Sequence, residues 1–200
     1  MPVLHYIHDP LCGWCYAASP LVEAAAAAGI PVRLHGGGLW HSPTALPPAK
    51  RAMIAQADAR IAAMTGQPFG EAYLQGLLQD PATRFHSRPI IAALLAVPEA
   101  QALPMLRAIQ RAHYVEGQAV IETPVLARLA EGLGVAPAEF LPALEAAPVD
   151  RHIETTRGLM QRIGAGGFPS FLVERDGVAR PLNHQDCYGQ PALFVQRILN

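Results

Sequence analysis

Two cysteines stand either side of a Gly-Trp pair in "HDPLCGWCYAASP", residues 8–20. Thiols at this spacing, Cys12 and Cys15, support three chemistries: holding a metal, closing a structural disulfide, or exchanging electrons with other thiols. The position of the first decides more than the spacing. Cys12 falls where an apolar, strand-like run gives way to a helix-forming one, and the free N–H groups and dipole of a helix start favour an anion there. A thiolate is such an anion, so the pKa of Cys12 is expected below the roughly 8.5 of a free thiol. Cys15, one turn on, is close enough to attack a mixed disulfide formed on Cys12 and should be the less exposed of the two. In the redox reading Cys12 is the nucleophile and Cys15 the resolving thiol.

The competing chemistries need more partners. A zinc site takes four ligands, and a second C-x-x-C or an H-x(3–5)-H would be expected. The third cysteine, Cys187, lies in "NHQDCYG" with His184 three residues before it, which makes a Cys3His set formally complete. Otherwise Cys187 reads as a small buried residue, with an extra redox-sensitive thiol as the minor reading. Three cysteines cannot form a framework of paired staples, and in a reducing compartment a C-x-x-C is catalytic or metal-binding rather than structural. Trp14, between the cysteines, is expected to be partly exposed and to offer a substrate an apolar contact. His8 or Asp9 could relay a proton from Cys15, against the alternative that both, like His5, are satisfied structural residues. Gly36 to Gly38 either lets backbone approach the site or simply ends a strand. His35, His41, His86, His113 and His152 have no ligand-like spacing.

The elements that position these residues follow from periodicity. "VLHYIHD", Val3 to Asp9, alternates as a partly buried strand. Trp14 to Ala28 favours helix and ends at Gly29 and Pro31; Val32 to His35 gives a second strand, completing a βαβ unit with a parallel pair. Residues 45–163 carry almost no strand signal. Apolar residues at helical spacing predict five or six helices there, with Thr123 as an N-cap before Pro124, Pro137 opening another helix and Asp150 capping the last. "GAGGFPSF", residues 164–171, ends in a Phe-Pro before a strand over Ser170 to Glu174. Asp176-Gly177 then marks a hairpin turn into Val178 to Leu182, and Pro191 opens a terminal helix. A proline sits comfortably at the start of such a strand; taken alone, its bond is expected to be trans.

Composition narrows the function classes. The chain of 200 residues is 51% hydrophobic and 16% charged, which suits a folded domain rather than a disordered chain. A net charge of -1 gives no basic surface for nucleic acid or an acidic membrane. No stretch approaches the roughly 20 apolar residues of a membrane span. Nor is an export leader legible ahead of the first strand, so the cytoplasm is the expected address.

Together "DPLCGWC", "HGGGLW" and "GFPSF" resemble the thioredoxin superfamily, specifically its DsbA-like branch and, within that, bacterial FrnE-like and protein-disulfide-isomerase-like proteins. The likeness covers essentially the whole chain, though its helical middle matches only in pattern. It implies an α/β, thioredoxin-like fold with a large all-helical insertion: a discontinuous domain over 1–44 and 164–200, and an inserted helical domain over 45–163. It also implies that Pro169 is cis and faces Cys12, and that the backbone of Phe168 can pair with an extended substrate as an added strand. The family's strong oxidant has Pro-His between its cysteines. Gly13-Trp14 supplies no charge, so the couple should be less oxidising. The expected function is therefore thiol–disulfide exchange of reductase or isomerase type on protein or small-molecule disulfides, glutathione among the candidate partners, with no bound cofactor or metal. The runner-up is a kappa-class glutathione transferase or chromene-carboxylate isomerase, which typically has Ser where Cys12 stands and needs no resolving thiol. A non-catalytic zinc-binding or chaperone-like module is the third reading.

Overall fold

The computed structural model describes all 200 residues. Strand β1 (Val3–His8) leads through a short turn to helix α1 (Gly13–Ala27) and parallel strand β2 (Val32–Gly36). Helices α2 (Pro48–Thr65), α3 (Ser87–Leu95), α4 (Glu99–Tyr114), α5 (Thr123–Gly132), α6 (Pro137–Ala146) and α7 (Val149–Arg162) follow, with a π-helical turn at Ala72–Leu77. The chain returns to strand in β3 (Ser170–Arg175) and β4 (Val178–Pro181), passes a 3-10 turn at Gln185–Cys187, and ends in α8 (Pro191–Leu199). The four strands lie in the order β2-β1-β3-β4, with β3 antiparallel to both β1 and β4. No helix is long and apolar enough to cross a membrane.

Strand alternation builds the layers. Leu4 and Tyr6 pair with Val173 and Phe171 and join the largest apolar cluster, which also holds Leu21, Val22 and Ala25 of α1 and Phe194 and Ile198 of α8. Tyr6 and Phe171 stack with ring centroids 4.9 Å apart. Ile7 and Leu172 point to the other face and pack on Met160 of α7. The same large cluster runs on into the helical middle through Tyr73, Ile109, Tyr114, Leu126 and Phe140, so one core ties the helices to the sheet that carries the cysteines.

Several expected boundaries shift. Thr123 is the first residue of α5 rather than its cap; Glu122 holds the cap position without a side-chain bond. Asp150 likewise lies inside the first turn of α7, where Pro148 holds the cap position, and its carboxylate pairs with Arg88 instead of the helix start. In α5 Pro124 sets φ within the first turn, and in α7 Pro148 occupies the cap position itself and has no side chain to cap with. The hairpin forms as the Asp-Gly signal requires, with Asp176 and Gly177 both at positive φ (50° and 76°).

Candidate active site

Cys12 is the residue that begins α1. Its backbone is extended (φ -97°, ψ 116°), and its carbonyl accepts the N–H groups of Cys15 (2.9 Å) and Tyr16 (3.0 Å). This leaves its side chain at the open end of the helix. Gly13 permits the turn against its surroundings: a Cβ there would stand 2.8 Å from Oδ1 of Asp58 and 3.2 Å from Ile61 of α2. Asp58 is itself buried, accepts a hydrogen bond from the Tyr73 hydroxyl (2.9 Å), and burial pushes its carboxyl up to about 6.

The two thiols, both free, have opposite environments. The Cys15 thiol donates toward Cys12 and holds its pKa below the ordinary value. This outweighs burial, and the N–H groups of Cys15 and Trp14 at the helix start add to it. Cys15 is fully buried, and burial raises its pKa well above the usual range. Its Sγ accepts the N–H of Asp9 (3.4 Å), and its carbonyl accepts the Tyr6 hydroxyl (2.9 Å). Because the first cause of the Cys12 shift is a partner thiol, Cys15→Ala should move the midpoint of Cys12 alkylation upward toward that of an ordinary thiol. A pH profile of iodoacetamide labelling measures it; an unmoved midpoint would mean that the helix start alone sets the acidity.

The loop before β3 closes the site from the other side. The Phe168-Pro169 bond is cis, and the Cys12 Sγ–H donates to the Phe168 carbonyl at 3.7 Å. The Phe168 ring lies over Gly37, where a Cβ would be 2.2 Å from two ring carbons. The Arg157 guanidinium covers that ring at 5.3 Å from its centroid and donates to the carbonyls of Gly37 (2.6 Å) and Gly38 (2.8 Å). The glycine run thus admits a side chain of this protein, so neither a plain strand exit nor an approaching ligand explains Gly37. Trp14 is half-buried beside the cysteines, its ring tilted against Tyr188 at 5.6 Å. A groove of about 410 Å³ opens between Trp14, Phe168, Pro169, Tyr188 and Arg60.

The two relay candidates separate. His8 is buried without a partner for either ring nitrogen, and burial lowers its pKa to about 3, so it stands as a neutral imidazole stacked on Tyr6 (4.9 Å). Asp9 is the one that touches Cys15, through its backbone N–H. Its carboxylate accepts the N–H groups of Leu11 (2.9 Å) and Leu39 (2.6 Å), and burial raises its pKa. Cys187 is buried with its Sγ turned to Asp186, and His184 packs its ring on Phe171 and Tyr188. Nowhere do three ligating side chains of the His, Cys, Asp and Glu types converge, so the Cys3His arrangement does not form. Sequence reasoning missed Arg60, Asp58, Arg157 and Tyr188, which come from α2, α7 and the turn before α8.

The family model of the DSBA-like thioredoxin domain matches residues 4–189. The chain belongs to that family. Among solved structures it is similar to the cytosolic disulfide reductase DsbM from Pseudomonas aeruginosa, at 46% identity and a TM-score of 0.89, over 97% of this chain and 95% of that one. The structure of the same reductase with GSH gives 44% identity and a TM-score of 0.88, over 97% and 96%. A 2-hydroxychromene-2-carboxylate isomerase shares the fold at 19% identity and a TM-score of 0.62, over 89% and 87%. No curated protein sequence matches significantly. With this family and these relatives, the chain is a DsbA-like thiol–disulfide oxidoreductase whose Cys12 and Cys15 are spaced as in a C-x-x-C motif.

Proposed function

We propose that the protein is a cytoplasmic disulfide reductase or isomerase working through a Cys12–Cys15 dithiol couple. The observation that carries this reading is the asymmetry of the pair, an acidified Cys12 at the helix start and a fully buried, proton-retaining Cys15. The Cys12 thiolate attacks one sulfur of a substrate disulfide, forming a mixed disulfide and releasing the other sulfur as a thiolate. Cys15 then loses its proton and attacks Cys12 Sγ, which closes the Cys12–Cys15 disulfide and frees the second substrate thiolate. Two electrons pass from the dithiol to the substrate, and its two protons go to the released thiolates.

The neighbours have matching tasks. Asp9, a buried carboxyl on the residue whose N–H meets Cys15 Sγ, takes the proton that Cys15 must lose. Pro169 shapes the groove, the Phe168 backbone offers an edge to an extended substrate, and Trp14 gives its apolar contact. The likeness to a cytosolic disulfide reductase favours reduction and the cytoplasmic address, and the uncharged Gly13-Trp14 pair favours reduction too. Glutathione-linked disulfides join protein disulfides as candidate substrates, a reading supported by the relative solved with GSH. With dithiothreitol as electron source, the protein should accelerate the reduction of insulin and of small disulfides well above the reagent alone. Absence of acceleration on every disulfide tried would overturn the reading.

A further inference from the structure

The groove beside Cys12 has a charge pattern that the dithiol chemistry does not use. Its lining is Trp14, Met64, Phe168, Pro169, Tyr188 and the polar trio Arg60, His184 and Gln185, without a carboxylate. The charged groups around it are already engaged, with a single exception. Asp186 forms a two-pronged pair with Arg197 (2.7 and 2.8 Å). Asp58 accepts from Tyr73. Arg157 holds the Gly37 and Gly38 carbonyls. Arg60 has only the Trp14 indole, with its guanidinium carbon 6.0 Å from the ring centroid, at the outer limit of a cation–π contact.

An exposed guanidinium that lines the groove beside Trp14, with no hydrogen bond or ion pair to the rest of the protein, is suited to bind a carboxylate by paired hydrogen bonds. We infer that Arg60 anchors a carboxylate of small anionic disulfides, so that this groove selects glutathione disulfide and glutathione mixed disulfides over neutral or cationic ones. The inference rests on the dithiol reading above and adds the residue that selects among its candidate substrates by charge. The groove's volume of about 410 Å³ is of the size that small-ligand sites occupy, and Met64, Trp14 and Tyr188 give the peptide stem apolar walls. His184, whose pKa burial lowers, also lines the groove, which leaves Arg60 as its one permanent charge. Arg60 is a binding residue, and the sulfur chemistry stays with Cys12 and Cys15.

The test is a single turnover of pre-reduced protein, stopped by acid and read by thiol labelling, with three disulfides of different charge: glutathione disulfide, hydroxyethyl disulfide and cystamine. For Arg60→Gln the second-order rate constant on glutathione disulfide should fall about tenfold, the size of one charge-assisted hydrogen bond. The neutral disulfide should change by less than about twofold, within the range of surface substitutions. Arg60→Glu should lower the glutathione rate further and raise that of cystamine. Raised salt should shrink the wild-type preference. Equal losses on all three substrates would overturn the inference, because Arg60 would then merely brace Trp14. An unchanged glutathione rate would overturn it too. Wild-type protein that exchanges with hydroxyethyl disulfide but shows no preference for glutathione disulfide defeats this inference alone. Protein that exchanges with none of the three defeats the dithiol reading as well.

Discussion

Cys12→Ser should reduce disulfide exchange by roughly a thousandfold or more, as loss of an essential nucleophile does. A serine hydroxyl at the start of α1 meets the same N–H groups, yet it is intrinsically far less acidic than the Cys12 thiol, whose pKa the Cys15 hydrogen bond lowers further. Cys15→Ser should fail differently. Cys12 still attacks, but nothing within the protein resolves the product, so mixed disulfides accumulate and are read by non-reducing electrophoresis and intact mass. If Cys15→Ser turned over at the wild-type rate without a trapped adduct, resolution would belong to an external thiol. If Cys12→Ser kept full activity, the account of the site would be wrong.

The second large effect is expected at a residue with no side chain. Gly37→Ala places a Cβ 2.2 Å from the Phe168 ring. The ring is hemmed in by the Arg157 guanidinium, which lies on it and is tied to Gly37 and Gly38. The Phe168 ring must therefore shift, and it belongs to the residue whose carbonyl faces Cys12. Overpacking of this kind costs about 1–3 kcal/mol of stability. The loss of exchange should be larger in proportion, about tenfold or more, because misplacement near reacting atoms is expensive. The backbone of Gly37 is not in the left-handed region, so the effect comes from the ring alone. Gly132→Ala in α5 is the control: a Cβ there meets nothing within 4 Å, and a gain of about 0.4–1 kcal/mol is expected. Urea midpoints and exchange rates of both variants test the pair; Gly37→Ala behaving like Gly132→Ala would contradict the packing argument.

Much of the scaffold was legible because local signals and tertiary structure agree. The alternation of β1, the Gly29–Pro31 stop of α1 and the Asp176-Gly177 turn each follow from backbone preferences a few residues long. Cys12 was legible for the same reason, since its place at a strand-to-helix junction is a local fact. The cis state of Pro169 was not, and entered only through family resemblance. The π-helical turn also escaped: Tyr73, Leu74, Leu77 and Leu78 suit a helical face, and one extra residue in a turn leaves that spacing almost unchanged. Arg60, Asp58 and Arg157 were invisible for a deeper reason. Each lies on a helix whose sequence explains it as a surface or packing residue, and only the docking of α2 and α7 around α1 and the Gly36–Gly38 run brings them to Cys12. Asp9 was named but not separable from His8, because adjacent strand-end residues point to opposite sides and the pattern does not say which side holds Cys15.

The central claim is that Cys12 and Cys15 form a reversible, reducing couple. Its reduction potential tests this most directly: the protein is equilibrated in glutathione or dithiothreitol buffers and the thiols are trapped and counted. A value near the roughly -270 mV of thioredoxin is expected. A value toward roughly -120 mV would make the protein an oxidant and contradict the proposed direction, and the absence of any reversible disulfide would contradict the dithiol mechanism itself.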